Sequence, residues 1–72
     1  LLVRLALVSR APAAVELYDL AGRRVHAAAV TDAAPGERAL TLSPPRALPP
    51  GVYWLALRQG AATASRRITI LR

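Results

Sequence analysis

The chain has 72 residues, which bounds it to one domain with a thin core, because a domain near this size buries only about 60% of the surface its unfolded chain exposes. It contains no cysteine, which excludes a disulfide scaffold, a thiol nucleophile and a thiolate zinc site. The net charge of +6 rests on ten basic residues, all arginine and scattered in blocks no longer than two, so with the abundant alanine and proline it reads as GC-rich codon usage more than as a nucleic-acid-binding stripe.

Period-two alternation recurs in short runs bounded by Pro, Gly and Asp, which is the signature of strands. The first run, Val3 to Leu7, points Val3, Leu5 and Leu7 one way and Arg4 and Ala6 the other. Ser9 to Pro12 is a connector, since Pro12 cannot donate to a ladder. The second run, Ala13 to Tyr18, turns Val15 and Leu17 inward and Glu16 outward. Asp19-Leu20-Ala21-Gly22 fits a type I turn closed by a left-handed glycine bulge. Arg23 to Val30 returns as the third strand, with Val25 inward and His26, Ala28 and Val30 on the opposite face.

Thr31 to Glu37 is a polar loop around Pro35-Gly36, and Arg38 to Ser43 is a fourth strand with Leu40 and Leu42 inward. The four prolines between Ser43 and Pro50 exclude a central strand or helix and predict an extended crossover along a sheet edge. The fifth strand, Val52 to Arg58, places Tyr53, Leu55 and Leu57 on one face and Trp54, Ala56 and Arg58 on the other. Gln59-Gly60 makes the next turn, and a sixth strand from about Thr63 to Leu71 turns Ile68 and Ile70 inward. Six strands with turn signals at sandwich spacing predict a small antiparallel β-sandwich of about six to seven strands, occupying residues 1–72 as a single domain. No apolar run is long enough to span a bilayer, and the start at Leu1 carries Arg4 and Arg10 with no small-residue cleavage site, so nothing reads as a signal peptide.

Three blocks in order resemble a known family. Val15-Glu16-Leu17-Tyr18-Asp19-Leu20-Ala21-Gly22-Arg23-Arg24-Val25 is similar to the "vyDlaGrrV" hairpin of C-terminal sorting domains of the bacterial type IX secretion system, a motif shared with the immunoglobulin-like domain of the flagellar hook-capping protein. Leu48-Pro49-Pro50-Gly51-Val52-Tyr53-Trp54-Leu55 resembles the family's "L.sGvYf.rl" motif, and Ala64 to Arg72 its terminal "..t.K.vvlr" strand. Arg66 or Arg67 stands where that strand has lysine, and Ser43-Pro44-Pro45 where the family has a tryptophan-and-aspartate segment. The resemblance implies an immunoglobulin-like sandwich at the end of a larger secreted or surface protein, reached through the periplasm. It implies no catalysis and no cofactor, with the outer-membrane secretion machinery or neighbouring domains of the parent protein as partners. The first alternative is a structural or adhesive protein-binding module of the same fold, and behind it stands a small basic nucleic-acid-binding domain.

The candidate recognition residues are Gly51, Tyr53, Trp54, Arg66 and Arg67. Tyr53 reads first as a core side chain with its hydroxyl at the rim, and Gly51 as the tight start of its strand. Trp54 faces the opposite way, either shielded by the proline-rich crossover or exposed beside Arg58 as an anchor; Tyr18 invites the same two readings. Arg66-Arg67 and Arg23-Arg24 read as a basic edge that repels other strands, or that meets an acidic surface or a lipopolysaccharide phosphate. His26 has no cysteine or second histidine beside it, and Ser9, Ser43 and Ser65 lack a nucleophile context, so neither a metal site nor a catalytic group is expected. Nucleic acid is not an expected partner.

Overall fold

The computed structural model describes residues 1–71 and contains six strands: β1 (Leu2–Leu7), β2 (Ala13–Tyr18), β3 (Arg24–Val30), β4 (Gly36–Thr41), β5 (Gly51–Gln59) and β6 (Ala62–Ile70). They form two antiparallel sheets, β1-β4 and β3-β2-β5-β6, so the fold is an all-β sandwich of unequal layers. The strand boundaries expected from the alternation hold within two residues; the largest shift is in β4, which runs two residues earlier at both ends and leaves Leu42 and Ser43 to the following segment.

The β2–β3 hairpin turns at Asp19–Gly22. Gly22 N donates to Asp19 O at 3.0 Å, and Gly22 has φ of 85°, the left-handed conformation that a side chain disfavours. Asp19 completes the turn: its Oδ1 accepts from Ala21 N and Arg23 N, and its Oδ2 from Arg23 Nε. The register then slips. Leu17 pairs with His26 but Tyr18 pairs with Arg24, leaving Val25 as the extra residue of a bulge. That slip corrects the expected faces of β3. Val30 is buried and Ala28 packs against the core, on the side with Val15 and Leu17, while Ala27 and Ala29 face solvent. Alternation counted straight from Arg23 puts these residues on the wrong face because it does not count the bulge.

The core lies between β1-β4 and the middle of the larger sheet. Val3 and Leu7 from β1, Leu42 beyond β4, Val15 from β2 and Val30 from β3 form it, and Leu17 is fully enclosed nearby. Each such side chain contributes on the order of 1.5–3 kcal/mol when fully buried. Leu55, Leu57, Ile68 and Ile70 face the same interior but are only half-buried. A two-stranded layer cannot roof a four-stranded one, and β6 is the strand left uncovered.

Two polar contacts tie connecting segments to β5. Tyr53 is buried, and its hydroxyl donates to Pro49 O at 2.6 Å, tying β5 to the proline-rich crossover in the manner of the tyrosine corner of immunoglobulin-like sandwiches. Gln59 is not a turn residue; it ends β5, and the turn is Gly60-Ala61. Its buried amide accepts from Val8 N (2.8 Å) and Ser9 N (3.3 Å) and donates to Ser9 O (2.9 Å) and Ala11 O (2.8 Å), latching the β1–β2 connector onto the larger sheet.

Candidate functional site

The register of the larger sheet assembles its outer face in rows. Arg24 pairs with Tyr18, Tyr18 with Trp54, and Trp54 with Arg67, so one row across β3-β2-β5-β6 reads arginine, tyrosine, tryptophan, arginine. The next outward row is Ala27, Glu16, Ala56 and Ser65, and the third is Ala29, Ala14, Arg58 and Thr63. Side chains directly opposite on one face lie about 4.5–5.5 Å apart at Cβ, so each row is a contiguous strip. Trp54 keeps 43% of its surface exposed and Tyr18 is half-buried beside it.

Glu16 sits at the centre of this face. It points outward as expected, yet it is 8% exposed, because the arginines of the rows above and below fold over it. Arg24 Nη1 donates to Glu16 Oε2 at 3.1 Å, and Arg58 Nε lies 3.3 Å from Oε1 in an ion pair without hydrogen-bond geometry. The flanking Ala27 and Ala56 leave room for these diagonal contacts. The hydrogen bond from Arg24 holds the Glu16 carboxyl below its ordinary 4.5, against the opposing effect of desolvation, with the Arg58 charge and the Tyr18 hydroxyl adding to the depression. Glu16 therefore keeps its charge and fixes two guanidinium groups beside the aromatic pair. Arg67 has no acidic partner among the described residues.

The five residues expected at the site separate onto two faces. Trp54 and Arg67 are neighbours outside; Tyr53 and Arg66 lie on the interior side, Tyr53 within the core and Arg66 opposite Leu55 in exposed surroundings. Gly51 begins β5 opposite Ile70 at φ 151°, a conformation that suits glycine and serves the tight start of the strand. The basic edge expected from Arg23-Arg24 with Arg66-Arg67 does not form, because β3 and β6 are opposite edges of the sheet and alternation splits Arg66 from Arg67. Arg23 is held instead by Asp19, at 2.9 Å. Alternation places Glu16 outward, but its cover by Arg24 and Arg58 depends on strand pairing and is not legible in the sequence.

Among the described residues no group of three or more His, Cys, Asp or Glu is placed to hold a metal ion, and no helix is long and apolar enough to cross a membrane. No protein-family model and no curated protein matches the chain.

Proposed function

We propose that this chain is a non-catalytic C-terminal sorting and anchoring domain, which directs a secreted bacterial protein through type IX export to the cell surface by presenting its outer face to the secretion machinery. One observation carries the reading: the three sequence blocks that resemble the sorting family fall on the larger sheet, over β2 and the start of β3, the first half of β5 and most of β6, and each contributes to the same outer row, Tyr18 and Arg24 from the hairpin block, Trp54 from the second and Arg67 from the terminal strand. An aromatic pair flanked by guanidinium groups is the composition that interface anchors favour. The two arginines suit an acidic protein surface or the phosphates of lipopolysaccharide.

The test is export of a fluorescent reporter carrying an N-terminal secretory signal and this chain at its C-terminus, in a bacterium with the type IX machinery. Export to the surface or medium is expected. Replacing Trp54 by Ala together with Arg67 by Glu abolishes it while leaving the far-ultraviolet circular dichroism unchanged. A folded fusion retained in the periplasm, whatever its outer face, refutes sorting and leaves the structural, partner-binding reading.

A further inference from the structure

The inequality of the two layers leaves a cleft of about 520 Å³ on the interior side, walled by Leu5 and Ala6 of β1, Leu55 and Leu57 of β5, and Ala64 and Arg66 of β6. One wall is a free strand edge. Leu1 N donates to Leu42 O at 3.1 Å and Leu42 N donates to Leu1 O at 2.7 Å, so Leu1 and Leu42 form a hydrogen-bonded pair. Antiparallel pairs alternate, and with the observed register Val3, Leu5 and Leu7 direct their backbone groups to β4. The N–H and C=O groups of Leu2, Arg4 and Ala6 then point away from β4, and β1 has no second neighbour in its sheet. The cleft floor is apolar, its charged lining is Arg4 and Arg66 against the single acid Glu37, and Arg66 makes no ion pair among the described residues.

We propose that β1 and this cleft receive a single extended strand of another polypeptide, which pairs with Leu2, Arg4 and Ala6 and roofs β6. Its inward side chains alternate apolar residues over Leu55 and Leu57, with one carboxylate opposite Arg66. Strands in a sheet lie about 4.8 Å apart, so the overhang of a four-stranded layer beyond β1 admits one added strand. A second copy of this chain offering its own β1 does not fit, because its four-stranded sheet would occupy the place of β6. Main-chain pairing supplies the affinity and the alternate side chains the selectivity, as in other strand additions. The inference concerns the interior face and stands independently of the outer row.

The probe is a blocked peptide of about six residues, the length of β1, alternating valine and threonine with one central glutamate. Added to the whole chain, it is expected to slow amide hydrogen exchange at Arg4 and Ala6, whose N–H groups face the cleft, more than at Val3 and Leu5, which are already paired. Ala6→Pro removes one outward N–H without touching the β1–β4 ladder, and is expected to weaken binding at least tenfold in a chain whose circular dichroism is unchanged. Should that variant fail to fold, Arg66→Glu on the exposed strand serves instead: it weakens the glutamate peptide and strengthens its lysine counterpart. No protection at millimolar peptide, protection on the outer edge of β6 in place of β1, or protection of Arg4 and Ala6 by self-association without peptide overturns the proposal.

Discussion

Replacing Gln59 by Leu tests the claim that one amide latches the β1–β2 connector onto the larger sheet. The change keeps the volume of the buried side chain and removes its four hydrogen bonds to Val8, Ser9 and Ala11. A typical internal hydrogen bond contributes a net of about 0.5–1.5 kcal/mol. The Ser9 N contact at 3.3 Å is the weakest, and the connector is only partly buried, so water recovers some of the loss. The sum is about 2–4 kcal/mol. At roughly 0.05–0.15 kcal/mol per residue, a chain of 72 residues has about 4–11 kcal/mol in total. The variant therefore loses a large share of its stability, and its thermal midpoint is expected to fall by about 8–32 °C, since a domain of this size moves about 4–8 °C per kcal/mol. Thermal melts followed by far-ultraviolet circular dichroism measure this directly. A fall smaller than about 4 °C shows that the latch contributes little beyond what water supplies, and the reasoning fails.

Gly22→Val forces a β-branched residue into φ of 85° at the hairpin bulge, where an added Cβ meets no neighbouring atom, so the penalty is conformational and not steric crowding. A loss of about 1–3 kcal/mol is expected in urea denaturation, and an unchanged midpoint contradicts the turn assignment. Acid sensitivity follows from Glu16, Asp19 and Asp32, whose carboxyls are all held below their ordinary values: Glu16 first by the hydrogen bond from Arg24, Asp19 by the Arg23 amide, and Asp32 by the Arg38 guanidinium. A carboxyl depressed in the folded state stabilises it above the unfolded value and loses that contribution as pH falls through the folded value. Thermal stability is thus expected to be flat above about pH 5 and to decline below the ordinary 4.5 and 3.8, and Glu16→Gln flattens part of that decline. A pH profile identical in Glu16→Gln removes Glu16 from the account.

The strands and most of their faces are legible in the sequence because period two and turn chemistry are local. The Asp19–Gly22 turn, the inward Val15 and Leu17, the rim hydroxyl of Tyr53 and the outward Trp54 all follow from residues a few positions apart. What fails is what depends on pairing. The bulge at Val25 inverts β3 because it is a property of two strands in register, and alanine on both faces gives no contrast by which to detect it. Gln59 reads as a turn residue because polar-glycine pairs usually are; its partners lie about fifty positions away, as the spacing from Ser9 shows. Arg66 and Arg67 look like one basic unit in sequence and become two surfaces in the sheet. Glu16 reads as solvated until Arg24 and Arg58 are brought over it.

The same imbalance explains why the two faces differ in kind. On the outer face, β2 and β5 are the central strands, each hydrogen-bonded on both sides, and Tyr18, Trp54 and Glu16 stand on them. Their backbones are therefore fixed by neighbours, and Glu16 further restrains Arg24 and Arg58, so a partner meeting that face has little ordering left to impose. On the interior side, β1 belongs to a layer of two strands and β6 is an edge, so two of the three strands that line the cleft most closely have one free flank, and the third, β5, is paired on both sides. Rows of unpaired edge groups favour added strands, and Arg4 and Arg66, which outnumber Glu37 in the cleft lining, discourage promiscuous pairing while admitting a partner that brings a carboxylate. A preformed aromatic row suits recognition of a folded surface, whereas a half-roofed layer suits capture of an extended one, and the order β3-β2-β5-β6 against β1-β4 produces both from one short chain.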